Sequence, residues 1–352
     1  MEYYKIIILI ITTLILLYVL NDLYLKYIST YETFVMNTPS GEYKDVKYNS
    51  NHGITNFNGD IMMPLNQYIV KSSYNSAISG KFVSIDMLRF VISRGCRFLD
   101  FEVVFLDDKP YVALTTDPEY TLLDTNNKIL LSDVLSAVNS FAFSNPAPCQ
   151  KDPIFIQLRV KSDDERVYTE IAKSIDVSLS HRLYKRELNP STTFNDVMGK
   201  AVIIFDNDIH PKYKELSECK NPNSDTCYDL TKYVNLTSNS SMSTKRKYLE
   251  FLETKKGKIL TVMEDDTVDV DTLTIAVPEY FSAEIDDNVF TSSDVAHPNI
   301  YTYTDNYNVQ MLCYRYYMRD EQLDICEDFF SQHKSAFIPY YIAMAFIKRI
   351  QQ

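Results

Sequence analysis

From Pro64 onward, short apolar runs alternate with longer stretches of helical periodicity. This alternation restricts the fold more than any other feature of the chain. The runs at 98–105, 111–114, 154–160, 201–205, 259–262, 273–277 and 310–314 read as buried strands, and 85–93, 131–141, 166–179 and 244–254 read as helices between them. Strands separated by helices build a parallel sheet, and the number of repeats suits a closed (β/α)8 TIM barrel in the α/β class. The barrel is placed at 63–347, with a polar insertion at about 212–240 and no internal repeat.

A single barrel of this kind accounts for 352 residues, and 45% hydrophobic residues suffice for its core. Ahead of it lies a different kind of sequence. Residues 6–20 are apolar apart from Thr12 and Thr13, and tyrosines and leucines extend the run at both ends. This is close to the length that spans a bilayer, and tyrosines suit the headgroup region. No alanine precedes Ala77, and the run closes on bulky Leu17, Tyr18, Val19 and Leu20, which argues against signal cleavage. Residues 1–28 are therefore read as one uncleaved transmembrane anchor and 29–62 as a polar linker. Lys5 and Lys26 nearly balance, so the orientation stays open.

A net charge of −12 excludes a nucleic-acid partner, because phosphate contacts need clustered Lys and Arg. The run Lys245, Arg246, Lys247 is expected on a solvated helix. Six cysteines are too few for a disulfide scaffold. Cys96 and Cys313 read as small buried hydrophobes, and Cys219 with Cys227 is the pair expected to bridge. Asn235 and Asn239 fit the glycosylation pattern, which Asn-rich chains match often by chance. The acidic runs at 264–271 and 286–287 read as solvated faces, and the histidines, among them His210 and His297, as structural. With no tryptophan and 27 tyrosines, the composition fits an AT-rich coding genome, a large DNA virus among the candidates.

The stretch 64–76, PLNQYIVKSSYNS, followed by RGCRFLDFEV at 94–103, resembles the X region of phosphoinositide-specific phospholipase C. The resemblance continues through LSDVL at 131–135, DPIFIQL at 152–158 and MGKAVII at 198–204. NVQMLCYRY at 308–316 and EDFFSQHKSAFIP at 327–339 are similar to the Y region of the same family. It implies a PLC-like barrel in which two histidines handle the 2-hydroxyl proton and a calcium ion held by hard oxygens neutralises the phosphate.

Carried over residue by residue, the family pattern departs at most of these positions. The first histidine falls on Tyr74, a phenol with a pKa of about 10 and a poor base at neutral pH. The second falls near Thr115. Asn75, Asp100 and Glu102 match calcium-ligand positions, and the fourth ligand falls on Arg159, whose charge opposes Ca2+ and could pair with Asp100 or Glu102. Phe205 and Asn207 stand where the family has ring-phosphate lysines, and Ile275 and Val277 where it has the headgroup arginine and tyrosine. Neither calcium nor another cofactor is expected. The leading expectation is a membrane-anchored, inactive PLC-like scaffold or interaction protein. The alternatives are a metal-independent phosphodiesterase using Tyr74, Asp100 and Arg159, and a module binding phospholipid headgroups or inositol phosphates. A filled mouth with Arg159 paired to Asp100 favours the scaffold.

Overall fold

The computed structural model describes residues 53–217, 228–252, 272–279 and 296–351. The expected anchor at 1–28, the strand at 259–262, Cys219 with Cys227 and the acidic runs at 264–271 and 286–287 lie outside the described residues. Among the described residues no helix is long and apolar enough to cross a membrane.

Eight strands form the wall: β1 Ser72–Ser73, β2 Phe98–Leu106, β3 Ile154–Lys161, β4 Ala201–Asp206, β5 Leu236–Thr237, β6 Ser243–Lys247, β7 Leu273–Val277 and β8 Met311–Tyr314. Their order is β5-β4-β3-β2-β1-β8-β7-β6, every neighbouring pair parallel. The ladder is open only between β5 and β6. Side chains span that seam: Ser243 Oγ donates to the Thr237 carbonyl at 2.9 Å, and the Lys245 amide donates to Asn239 Oδ1 at 2.7 Å. The expected barrel is present and nearly closed.

The longer helices among the described residues are α1 Ile85–Ser93, α2 Leu131–Ala142, α3 Arg166–Leu179, α4 Ile300–Tyr307, α5 Glu321–His333 and α6 Tyr340–Ile350. The first three sit where the periodicity placed them, because each buries one apolar stripe against the wall. In α1 the stripe is Met87, Leu88, Val91 and Ile92, and Ser84 caps the helix by accepting the Met87 amide at 3.2 Å.

Four expectations need correction. The run at 111–114 is not a wall strand: Lys109–Val112 folds back antiparallel on β2 as a hairpin beyond the barrel. The helix expected at 244–254 begins only at Tyr248, and Ser243–Lys247 is β6. Lys245 is buried rather than solvated, because strand alternation turns it inward onto Asp206 and Asp208. Leu236–Thr237, inside the expected insertion, pairs with β4 as a wall strand. Cys96 and Cys313 are free and fully buried, as their apolar settings implied. Asn235 is buried and donates to the carbonyls of Tyr184 and Arg186 at 2.7 and 2.9 Å, which closes its sequon to modification.

The N-terminal end of the barrel is plugged. Tyr68–Val70 pairs antiparallel with Phe337–Pro339 across it, and Phe57, Tyr68, Phe194 and Phe337 pack there with ring centroids 4.9–6.2 Å apart. Arg94 and Arg97, the two arginines of the RGCR stretch, serve this end. Glu327 takes Lys71 Nζ at 2.7 Å, the Arg94 guanidinium and the Tyr316 hydroxyl at 2.6 Å. Arg97 donates to the Ala142 carbonyl at 3.0 Å and to the Cys149 carbonyl. Part of the stretch read as linker is fastened here too. Thr55 N–H donates to the Lys334 carbonyl at 3.0 Å, and Asn56 Oδ1 accepts the Lys151 amide at 2.8 Å.

Asp152 holds this strap by accepting the Phe57 amide at 2.9 Å, while its second oxygen finds no hydrogen-bond partner among the described residues. Burial raises its carboxyl from 3.8 to about 6. Between those values the folded state holds a proton that the unfolded chain lacks, so stability gained at acid pH is lost as pH rises through 6. Asp152→Asn keeps the acceptor without the charge. It should raise stability at pH 7 by about 1–3 kcal/mol, with the gain gone near pH 4, read by urea unfolding across pH.

Candidate functional site

In barrels of this architecture chemistry sits at the C-terminal ends of the strands. The register sets Glu102, Arg159 and Asp206 side by side on β2, β3 and β4, with Asp100 beside Gln157 one layer below. Positions two apart on a strand share a face, so all of these project into the barrel.

One guanidinium organises the mouth. Arg159 is 1% exposed. Its Nε lies 3.1 and 3.0 Å from the two oxygens of Asp100, and its Nη2 reaches Asp100 Oδ1 at 3.0 Å and also Asn75 Oδ1. Nη1 donates to Glu102 Oε2 at 2.8 Å, and the guanidinium carbon sits 4.6 Å from the centre of the Tyr74 ring. Asn75 takes the left-handed conformation, φ 47°, which asparagine tolerates. The structure thus brings together Tyr74, Asn75, Asp100, Glu102 and Arg159, five residues marked from the sequence.

The remaining lone pairs of the two carboxylates are taken up as well. Asp100 accepts the Asn75 amide and Gln157 Nε2, each at 3.2 Å. Glu102 accepts the Thr115 amide at 2.8 Å and lies 3.1 Å from Lys161 Nζ. Thr115, at the second-histidine position, therefore serves through its backbone and offers no base. Burial pushes the Asp100 carboxyl up, and the Arg159 charge opposes that shift.

A second ion group lies beside the first. Lys245, on β6, pairs with Asp206 and lies 2.5 Å from Asp208. Ser238 Oγ donates to Asp206 at 3.2 Å, and Asn239 Nδ2 to Asp208 at 2.7 Å. Phe205 turns away from the mouth and stacks on Tyr213, ring centroids 3.9 Å apart. Asn207 sits over Ser238, which its amide meets at 3.2 Å. Ile275 and Val277 are buried in the wall.

Among the described residues, the hollow lined by Tyr74, Asn75, Glu102, Thr115, Asp124 and Lys161 holds about 40 Å3. That is close to the roughly 30 Å3 one water occupies in the liquid. Among the described residues no histidine lines it. His297 is buried with Nδ1 2.9 Å from Asp320, and its Nε2 accepts the Arg315 amide at 2.9 Å, so both ring nitrogens are engaged.

The oxygens of Asn75, Asp100 and Glu102 are the donor set a hard cation takes. Here Arg159 nitrogens bind all three, so the residues present do not fit calcium. Sequence reasoning missed Gln157, Lys161, Asp206 and Lys245 as members of this site. A signal for two of them was legible: Gln157, Arg159 and Lys161 recur at period two inside an apolar run, the mark of one polar interior face.

Residues 61–205 match the profile of the phosphatidylinositol-specific phospholipase C X domain. Among solved structures, PLC21 of S. officinalis is 14% identical with a TM-score of 0.58, covering 88% of this chain and 43% of that one. PLC21 of L. pealei is 15% identical with a TM-score of 0.56, covering 82% and 39%. This chain thus spans about two fifths of their length, and the likeness is one of fold. A calcium-dependent phosphoinositol-specific phospholipase C from Pseudomonas sp. aligns at 12% identity and a TM-score of 0.43, covering 82% of this chain and all of that one. No curated protein matches the chain in sequence.

Arg159→Gln leaves Asp100 and Glu102 buried without their guanidinium. It should lower stability by about 3–5 kcal/mol in urea unfolding at pH 7. Calorimetric titration of the native protein with calcium should give no saturable heat.

Proposed function

We propose, from the premise that this chain belongs to the phosphatidylinositol-specific phospholipase C X-domain family through residues 61–205, that it does not hydrolyse phosphodiesters and acts as a membrane-tethered scaffold or interaction protein. The observation that carries the proposal is the Arg159 guanidinium, which binds Asn75, Asp100 and Glu102 together at the barrel mouth. Phosphodiester cleavage through a 2-hydroxyl needs a base, an acid for the leaving oxygen and positive charge facing the phosphate. Tyr74 and Thr115 supply neither proton carrier, and the charge of Arg159 is spent on carboxylates rather than turned to solvent. The hollow of about 40 Å3 beside Tyr74, Glu102 and Lys161 is also smaller than an inositol phosphate. The tether rests on the apolar run at 6–20.

The test is hydrolysis of phosphatidylinositol and its bisphosphate by the purified full chain, with calcium and with chelator. No release of inositol phosphate is expected in either condition, and none from Tyr74→Phe. Turnover that Asp100→Asn abolishes would overturn the proposal.

A further inference from the structure

We infer that the N-terminal end of the barrel, opposite the mouth, is the face this protein presents to an anionic lipid bilayer. The inference deepens the tethered reading above and rests on it. Three observations converge on that end.

The first is charge. Although the chain carries −12 overall, its two ends differ in sign. Lys151 leads into β3, and Arg182, Lys185, Arg186 and Lys200 lead into β4, four of them exposed and Lys200 half-buried. They form one patch: a Cβ on Gly199 would lie 3.9 Å from the Lys151 carbonyl and 4.0 Å from Arg182 Nη1. Arg186 sits 3.7 Å from Asp196, and Asp196 and Glu187 are the exposed acids beside it. At the mouth the balance reverses: Asp107, Asp108, Asp117, Asp124, Asp163 and Glu165, on the hairpin tip and the loops after it and after β3, outnumber Lys109, Lys128 and Arg166. An anionic surface attracts the first end and repels the second.

The second is apolar exposure. Met62 and Tyr341 are each 63% exposed, Met198 42% and Ile342 38%. All four belong to the plugged end, whereas the loop after the hairpin at the mouth exposes Leu122 alone. The Asn195 and Phe194 amides donate to the carbonyls of Ile61 and Met63 on either side of Met62, at 2.9 and 3.2 Å, and Met198 follows the short helix Phe194–Val197. Tyr341 and Ile342 open α6 directly after Pro339, which pairs with Tyr68, and the Tyr68 hydroxyl donates to the Asp60 carbonyl at 2.5 Å. Methionine, isoleucine and tyrosine rimmed by Lys and Arg are what an interfacial surface carries.

The third is where the chain enters. Residues 1–52, with the apolar run at 6–20, join the barrel at Gly53, and the strap beyond is held to Lys334 and Lys151 at this same end. The tether is thus attached at the basic end rather than at the acidic mouth.

The test is hydrogen exchange of the full chain in phosphatidylcholine vesicles with and without phosphatidylserine, after flotation shows that it is membrane-bound. Amides at 60–63, 181–186 and 340–344 should exchange more slowly in the anionic vesicles. Each cation near such a surface is worth roughly fivefold in occupancy, so the surface variant K185E/R186E/K200E should erase the difference while remaining bound. Protection at 117–124 instead would place the mouth on the membrane and overturn the inference. Equal exchange in both vesicles would overturn it too, and leave the basic patch to an acidic protein. A chain that does not float fails the tether itself, which flotation reports separately.

Discussion

The ion pairs of Arg159 are the interaction on which the upper half of this barrel depends. A guanidinium carries five N–H donors in a rigid plane, and carboxylates on adjacent strands meet it in that plane. Asp100 and Glu102 on β2 and Arg159 on β3 are brought to that spacing by the parallel register alone. Each charge is costly to bury, and each is tolerable because the others are present. The loop after β1 is drawn in through Asn75, and the loop after the hairpin through Thr115 and Lys161. What would be a cleft in an open barrel becomes a packed polar core.

The same logic is repeated twice elsewhere. Lys245 with Asp206 and Asp208 ties β6 to β4 across the seam where the ladder is open. At the opposite end Glu327 gathers Lys71 and Arg94 from two separated segments. In each case the acid and the base come from different strands or helices, so the pairing forms only when the barrel closes. Buried pairs of this kind contribute less to net stability than to holding elements in one arrangement. Buried ion pairs thus hold both ends of the barrel, and the two ends differ in surface charge.

Much of the fold was legible in the sequence. The bounds of α1 and α3 follow from apolar residues at helical spacing, because an amphipathic helix on a barrel wall must keep one face apolar throughout. β3, β4 and β7 follow from short runs dominated by apolar residues, because a wall strand is covered on both sides, with the polar Gln157, Arg159 and Lys161 of β3 marking its interior face. β5 and β6 were not legible for the converse reason. Two residues are too few for a pattern, and the Lys-Arg-Lys run of β6 has the composition of a surface. The hairpin at Lys109–Val112 has the composition of a wall strand, and only its antiparallel pairing with β2 tells them apart.

The site divides along the same line. The sequence by itself determined which groups are at hand, a tyrosine, a threonine and an arginine among carboxylates. Side-chain identity settles what protons and charges are available, wherever the residues lie. Only the tertiary structure decided how those groups are used. That Arg159 takes hold of Asn75, Asp100 and Glu102 at once, that Lys245 turns inward, and that basic loops gather at the end where the strap is fastened, are distances between residues far apart in the chain. Such distances follow from barrel closure, which no local run of sequence encodes.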